Sequence, residues 1–535
     1  MLSYGSYIGG RETFSDEWTY TVRASAMLTD VIGSIRTKRD LERGRLPVEQ
    51  APDSVVGRCS VGDRHDVEAA LSTAAGAVRA WAARPLKERM RLVEELHRIT
   101  WEKHDEIVDM LVAEGHPWAL ARWEVSGIIV NTSPRTREFL AAQMEQHVTL
   151  GERQLTVRRV ADGVVCLNPP QNATLANVML GAWALVAGNS LVVRAPRSAP
   201  LGVLHAVHEL FVPALEAAGA PTEILSVVCS DAPQTLRQWL DSPLVDDIMY
   251  FGGSETGVAF GAECVAHGKK PVLELAGNDI CVVWRDADLD LAATALAEAF
   301  YGSGQICMVP NVAVVHPDVA DQLLEKLSER VRGIKPGLPE ETDVLLSPVR
   351  RTDAFQDVLD EALDLGARLV RGGRRLDVDG TPNQVSGLFL EPTVVRVDGL
   401  KESRALRVVR EETFFPLLPV VVPHNTPDEA LIEQLVEFTD TNQYGLRNSL
   451  WAKDPEVIQA FVDGVRSGGL LKVNDSHLGF LPVLPTHGGT GLTGGPCGEA
   501  NYPALRTSHL QGVSVAAGID PAGAVFAGPD VREAL

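Results

Sequence analysis

The spacing of hydrophobic positions changes several times along the chain, and each change predicts a different kind of element. Residues 1–65 show only short strand-like pieces around a charged run and are predicted to be irregular. From residue 63 to residue 144, apolar side chains recur at helical spacing, which predicts a series of amphipathic helices. Residues 147–160 alternate weakly between apolar and polar, which predicts an exposed two-stranded ribbon with its turn at Gly151-Glu152.

From residue 164 onward, short apolar strands alternate with helical segments, and a second such series begins near residue 277. The first series has strands at residues 163–167, 190–194, 224–228 and 247–251. Apolar strands separated by helices indicate mostly parallel sheets with helices on both faces. The predicted fold class is therefore α/β, with a doubly wound, Rossmann-type sheet in the first series. From residue 516 the chain is predicted to be a loosely held tail.

Composition and charge limit the classes of partner that the protein is expected to bind. The 535 residues are 45% hydrophobic and 22% charged, which is typical of a globular chain with two or more domains. The net charge of −22 would repel the phosphates of nucleic acid or of an anionic membrane, so we expect neither as a partner. A local basic pocket could still bind an anionic cofactor.

The cysteines and the N-terminus indicate the compartment. Seven cysteines, an odd number, are widely spaced and form no CxxC motif, which argues against a disulfide framework and against a metal site. The N-terminus lacks the features of a signal peptide, and we expect no membrane-spanning segment. These features predict a cytoplasmic protein.

The glycine-rich stretch Gly302-Ser303-Gly304 leads to Cys307, just before an apolar run. A cysteine thiolate is a strong nucleophile, and glycines let backbone N–H groups come close to a developing oxyanion. The alternative is a structural cysteine behind a loop, since free cysteines are commonly buried. The stretch alone leaves both interpretations open.

Other segments carry candidate chemistry, each with a structural alternative. The glycine turn Phe251–Gly257, between a strand and a helix, could bind phosphate or be a tight connection. Glu274 lies in an apolar strand, where burial would raise its pKa toward that of a general base unless it is salt-bridged. Arg194 and Arg197 end a strand and suit phosphate or ribose, or are surface arginines. The segment Glu411–Pro416 could contact a ribose or cap a helix.

In this order and spacing, the motifs resemble those of the aldehyde dehydrogenase superfamily over about residues 55–515. The matching segments are Phe251–Gly257 for the FTGS-type turn, Val272–Gly277 for the LELGG strand, Gly304–Cys307 for the GQxC motif, Glu411–Pro416 for the EEIFGP motif, and Tyr444-Gly445-Leu446 and Val473-Asn474 for later landmarks. The resemblance implies that Cys307 is the nucleophile and Glu274 the general base. It also implies that Asn172, or Gln171 on an ungapped spacing, donates to the oxyanion.

The resemblance further implies a set of cofactor-binding residues, namely Arg194, Arg197, Gly253, Ser254, Leu275, Glu412 and Phe414. Arg197 stands where the family has a ribose-binding glutamate. A cation in place of a carboxylate removes repulsion toward a 2′-phosphate, so the expected cofactor is NAD or NADP. Phe415 replaces a glycine of the family motif.

The implied organisation divides the chain into segments: cofactor-binding domain 1–146 and 161–275, catalytic domain 276–484, bridging segments 147–160 and 485–515, and tail 516–535. The bridging segments imply a homodimer or homotetramer. Substrate-pocket walls are expected from Trp118–Trp123, from Ile306 and Met308, and from Asp475–Phe480.

The implied reaction is NAD(P)-dependent oxidation of a small-molecule aldehyde to a carboxylic acid through a cysteine thioester, with water activated by Glu274. One alternative is a CoA-acylating enzyme, which the Asn172 spacing favours and Glu274 disfavours. A second is a non-catalytic paralogue that only binds nucleotide or a partner.

Overall fold

The computed structural model describes residues 1–526, and its framework is two seven-stranded sheets. The first sheet has, in spatial order, the strands Lys270–Glu274, Asp247–Phe251, Val164–Asn168, Ser190–Pro196, Leu225–Ser230, Ser6–Ile8 and Arg11–Thr13. Its first five strands are parallel, and the N-terminal hairpin adds two antiparallel strands at one edge. These five strands are almost wholly buried, as expected for strands covered by helices on both faces.

The second sheet repeats the pattern with six parallel strands and one antiparallel edge strand. Its strands are, in spatial order, Arg368–Arg371, Thr393–Asp398, Leu417–Val422, Pro310–Val315, Asp279–Val283, Arg447–Trp451 and Leu470–Val473. Buried valines, leucines and aromatic side chains fill the space between this sheet and its helices. The predicted α/β fold class is thus seen in two sheets, each with its own core.

The α-helices within residues 1–526 pack on the sheets or on one another, apart from the exposed helix Pro521–Phe526. They are Ala24–Thr29, Val31–Glu42, Arg64–Ala82, Leu86–Glu102, His104–Glu114, Trp118–Asn131, Pro134–Met144, Thr174–Met179, Gly181–Ala187, Leu201–His205, Val212–Ala218, Ala232–Asp241, Ser254–Ala266, Leu289–Ala297, Ala320–Val331, Thr352–Asp364, Leu400–Ser403, Arg407–Arg410, Asp428–Asp440, Pro455–Gly464, Pro503–Arg506 and Pro521–Phe526. The run Leu201–Ala218 has a π-helical middle, is long and apolar enough to cross a membrane, and has 61% of its residues buried inside the fold. Its apolar surface therefore serves the core of the first sheet.

Two sequence-based predictions differ from the structure. Residues 1–65 are not irregular, because the strands Leu2–Tyr4, Trp18–Val22 and Val55–Ser60 form a sheet of their own. The ribbon has three strands rather than two: the hairpin Glu145–Leu150 and Arg153–Ala161 is joined by Ser508–Ala516. The two errors have different causes. The N-terminal strands, of three to six residues, are too short to show a clear period, and a ribbon partner about 350 residues away leaves no local signal.

The ribbon strand ends at Ala516, where the predicted tail begins, and Pro521–Phe526 is helical. The remaining part of the predicted tail, residues 527–535, lies outside the described residues.

A short connection leads from Lys270–Glu274 of the first sheet to Asp279–Val283 of the second. Glu274 is the last residue of an edge strand of the first sheet, so it lies at the carboxyl edge. Cys307 precedes Pro310–Val315, a central strand of the second sheet, so it lies at the amino edge. Gly277 lies in this connection, and a side chain built on it would come within 2.1 Å of the Cys307 carbonyl oxygen, because Asp279–Val283 pairs with Pro310–Val315. The candidate active site lies at this junction.

Candidate active site

The turn before Cys307 has an unusual backbone. Gly302, Ser303 and Gly304 all have positive φ, at 59°, 58° and 69°. A left-handed conformation costs a non-glycine residue about 1–2 kcal/mol, so Ser303 must be held there. Its buried hydroxyl donates to the Ser347 carbonyl at 2.5 Å and accepts from the Ser347 N–H at 3.0 Å. The turn is thereby fixed to the loop that contains Ser347, and Cys307 follows it half-buried.

Gly277 and Glu412 lie next to the loop that contains Cys307. A Cβ atom at Gly277 would clash with the Cys307 carbonyl, so only glycine fits this contact. The Gly277 N–H donates to Glu412 Oε1 at 3.0 Å. Burial raises the pKa of Glu412 to about 8, and the Gly277 hydrogen bond lowers it. Glu412, predicted to contact the cofactor ribose, therefore lies beside the cysteine loop.

Glu274 is buried, with 8% of its surface exposed. Burial raises its pKa to about 7, against the opposing effect of hydrogen bonds from the Gly488 N–H and the Asn501 side chain. Gly488 and Asn501 belong to two paired strands, His487–Gly488 and Ala500–Asn501. The predicted bridging segment 485–515 thus supplies the hydrogen-bond partners of the predicted base.

Asn172 lies on the other side of the cysteine loop. Its Nδ2 donates to the Gln305 carbonyl at 2.9 Å, two residues before Cys307. Gln171, the alternative, is exposed like Asn172, so exposure does not distinguish the two amides. The structure therefore brings Cys307, Glu274, Glu412 and Asn172 to one junction, and their catalytic roles stay predictions.

The predicted cofactor turn has features that fit a pyrophosphate. Gly253 is the N-cap of the helix Ser254–Ala266, and a Cβ atom there would meet open space. The Ser254 hydroxyl is buried and has no hydrogen-bond partner in the described structure. A buried polar atom without a partner is costly, and an anion at the helix N-terminus would satisfy it. Gly253 and Ser254 would hold the pyrophosphate here.

The other predicted cofactor residues differ in their surroundings. Arg194 is buried and donates to Asn168 Oδ1 at 2.6 Å and to the Ser230 carbonyl at 3.1 Å. Leu275 is also buried. Phe414 has a positive φ of 58°, in the turn after Glu412.

Arg197 is half-exposed and pairs with Glu17 at 2.5 Å. Arg194 is therefore already bonded to neighbouring strands, whereas Arg197 has an acidic partner that the sequence did not reveal.

The expected pocket wall is present in part. Trp123 and Phe480 stack at 4.9 Å between ring centroids and 25° between planes. Both pack in the apolar cluster that includes Ile306, Cys307 and Met308. Trp118 instead packs against the core of the first sheet, under the guanidinium of Arg122. The aromatic surface next to the cysteine is thus made by Trp123 and Phe480, and not by Trp118.

Arg447 lies next to the cysteine loop, and the sequence motifs did not predict it as a site residue. It is buried, and its guanidinium donates to the His477 carbonyl at 2.6 Å and the Thr486 carbonyl at 3.2 Å. A third contact joins its NH2 group to the Met308 sulfur at 2.8 Å. Arg447 follows the Tyr444-Gly445-Leu446 landmark, so a cation at the start of an apolar strand was the available signal.

The charges around Cys307 act in opposite directions. Burial, and to a lesser extent the carboxyl groups of Glu412, Asp279 and Glu274, together raise the pKa of its thiol to about 12. Arg447 is the cation that lowers it. The thiol is therefore hard to ionise in these surroundings, and its deprotonation is favoured by this arginine and needs an acceptor for the proton.

The parallel sheets, the phosphate-type turn and the cysteine facing a buried glutamate define a class, the dehydrogenases that use NAD or NADP. The family model described as the aldehyde dehydrogenase family matches residues 42–505, and the chain belongs to that family. It is an aldehyde dehydrogenase, and it oxidises aldehydes with NAD or NADP.

Its relatives share most of its length. A vanillin dehydrogenase of Corynebacterium glutamicum is 30% identical, over 83% of this chain and 89% of its own. The structure is similar to the crystal structure of an aldehyde dehydrogenase from Brucella melitensis, with a TM-score of 0.78, 23% identity, and coverage of 97% and 98% of the two chains. It is also similar to a 3,6-anhydro-L-galactose dehydrogenase in complex with NAP, with a TM-score of 0.73, 22% identity, and coverage of 96% and 100%. The predicted fold is confirmed.

We predict that Arg447→Met slows alkylation of Cys307 by iodoacetamide at pH 9 about tenfold, because loss of the positive charge raises the thiol pKa by about one unit. The rate is measured by mass spectrometry of the Cys307 peptide in a Cys497→Ser background, since Cys497 is exposed. Arg447→Lys keeps the charge and is expected to stay near the parent rate. Equal rates for the Met and Lys variants would contradict the electrostatic role.

Proposed function

We propose that this aldehyde dehydrogenase oxidises its substrate to a carboxylic acid, with Cys307 as nucleophile and Glu274 as general base. The observation that carries the proposal is the buried Glu274 carboxyl, whose pKa of about 7 suits proton transfer near neutral pH. It ends the strand Lys270–Glu274, three residues before Gly277, whose backbone packs against the Cys307 carbonyl. A group with this pKa can accept a proton and release it again within one cycle.

The first half of the proposed cycle forms a thioester. The Cys307 sulfur bonds to the aldehyde carbon, and its proton passes to a base. The carbonyl oxygen becomes an oxyanion, held by the Cys307 N–H and by Asn172, whose amide already donates beside the loop. NAD or NADP, when bound, supplies the hydride acceptor. Loss of the C–H hydrogen with its electron pair leaves the acyl group on Cys307 as a thioester.

In the second half, Glu274 takes a proton from water while the water oxygen bonds to the thioester carbon. The carbon–sulfur bond breaks, the acid leaves, and the Cys307 thiolate is regenerated. The CoA-acylating alternative differs only here, because a CoA thiol would replace the water. The buried base supports water as the acceptor.

We predict that Glu274→Gln gives a single burst of NAD(P)H, about one per active site, followed by a steady-state rate at least about 100-fold below wild type. Acylation needs Cys307, whereas deacylation needs the base. The wild-type steady-state rate should rise with pH through about 7, because the carboxylate must be ionised to accept a proton. Rapid mixing with absorbance detection measures both.

The controls separate the alternatives. Cys307→Ala should show neither burst nor turnover, and full turnover in that variant would refute the assignment of Cys307 as the nucleophile. CoA added to the wild-type enzyme should leave the carboxylic acid as product. Acyl-CoA as the main product would instead identify the acylating branch, and silence on every aldehyde tested would identify a non-catalytic binding protein.

For the substrate, we propose an aldehyde with an aromatic or other flat apolar body. The stacked Trp123 and Phe480 rings beside Cys307 support this. Planar rings favour offset stacking on other aromatic faces, which would orient such a substrate. The similarity to a vanillin dehydrogenase supports the same class.

Phe480→Ala is predicted to lower kcat/KM for benzaldehyde about tenfold and for propanal by less than about threefold, because only the ring can stack. Phe14→Ala, which removes an exposed phenylalanine, is the matched control and should change neither value. An equal loss for both aldehydes would show that Phe480 shapes the site without selecting aromatic substrates.

We also propose that segments 147–160 and 485–515 bridge subunits of a homodimer or homotetramer. Strand pairing places Val148, Val157 and Leu510 on one face of the ribbon, where they are 58%, 48% and 60% exposed. Exposed apolar side chains on one face are typical of a subunit contact. A cytoplasmic location is proposed as well, supported by the cysteines of the described residues, which are free thiols.

The expected mass in solution is a multiple of the 57.7 kDa protomer, measured by light scattering after size exclusion. Val157→Asp places a charge on the apolar face and should shift the species to a smaller mass. Val515→Asp changes the same residue type on the opposite face, where Val515 is 59% exposed, and should leave the mass unchanged. A monomeric wild type, or a larger effect of Val515→Asp, would contradict the proposed contact.

A further inference from the structure

Glu17 lies in the part of the chain before the matched family residues 42–505, yet its carboxylate pairs with Arg197 at 2.5 Å. Arg197 follows the strand Ser190–Pro196 at the carboxyl edge of the first sheet. The family resemblance puts the adenosine ribose at this position, with a glutamate where Arg197 stands. A carboxylate from the segment before the matched residues therefore reaches the expected ribose position.

Glu17 is held there by its backbone. The Val61 N–H donates to the Glu17 carbonyl at 2.8 Å, and the Ser15 hydroxyl donates to the same carbonyl at 3.1 Å. Val61 in turn bridges to Cys229, which pairs with Ala195 in the first sheet. These contacts connect the Glu17 backbone to the strand that ends just before Arg197. The Glu17 carboxylate is thus presented by a fixed segment.

We infer that Glu17 determines the cofactor preference, by making the enzyme favour NAD over NADP. Two effects act together. The carboxylate neutralises Arg197, so the position offers a 2′-phosphate no net positive charge, and a bound phosphate would stand close to a like charge. In NAD the free 2′-hydroxyl can instead donate a hydrogen bond to the carboxylate. The inference rests on the proposed function for the place of the cofactor, and it opposes the expectation from Arg197 alone that NADP is accepted.

The test measures binding without an aldehyde. Titration calorimetry of the full-length wild-type protein with NAD, NADP, ADP and 2′-phospho-ADP should show NAD binding at least about tenfold tighter than NADP, and ADP tighter than 2′-phospho-ADP. Glu17→Gln keeps the size of the side chain and removes its charge. It should narrow the NAD/NADP ratio about tenfold, mainly through tighter NADP binding. Glu49→Gln, an exposed N-terminal glutamate, is the matched control and should leave the ratio unchanged.

Each outcome decides the inference. A wild type that prefers NADP, or an unchanged ratio in Glu17→Gln, would overturn it. Arg197→Ala in the Glu17→Gln background should lose the gained NADP affinity, since the arginine is then the phosphate's partner, and retention of that affinity would also count against it. Because the readout needs no turnover, a protein that shows the expected ratios but oxidises no aldehyde would refute the proposed function and leave this inference standing.

Discussion

The site depends on the close approach of two backbones, at Gly277 and at Cys307. Gly277 lies between the edge strand Lys270–Glu274 of the first sheet and the strand Asp279–Val283 of the second. Cys307 precedes Pro310–Val315, the strand that pairs with Asp279–Val283. A single added carbon at Gly277 would lie 2.1 Å from the Cys307 carbonyl oxygen. The position of the predicted nucleophile relative to Gly277 is thus set by the pairing of two neighbouring strands of the second sheet, and the turn Gly302–Gly304, with positive φ at all three residues, leads the chain into it.

The same close packing explains the charges. A junction between two buried sheet edges excludes water, so carboxyl groups there are held nearer to neutrality, and Glu274 and Glu412 have pKa values of about 7 and 8. The same surroundings raise the pKa of the Cys307 thiol, so the thiol is harder to ionise. The buried Arg447 guanidinium partly offsets this effect, because its positive charge lowers the pKa of the thiol. Arg447 also bonds the carbonyls of His477 and Thr486, so one side chain supplies charge and holds the neighbouring loop.

The sequence was sufficient for features that are local or that belong to an ordered set of motifs. Alternating strands and helices predicted the α/β class, and the spacing of the glycine turn, Glu274 and Cys307 identified segments that the structure brings together. Arg447 and the Glu17–Arg197 pair were missed for a physical reason: their partners are distant in sequence, so no window around either residue contains the other half of the contact. The third ribbon strand and the N-terminal sheet were missed in the same way.

This difference decides which residues can be assigned by resemblance to a family motif. Residues that act through a local motif, such as Cys307 in its glycine turn, can be assigned by resemblance because the motif carries its own geometry. A residue such as Arg197 cannot be assigned in this way, because its effect on ligand binding depends on which side chain another segment places beside it. Alone it is a cation suited to a 2′-phosphate, and next to Glu17 it is half of a neutral pair. A substitution within a known motif therefore has no fixed consequence until the tertiary partner is known, and here that partner comes from the segment that precedes the family match.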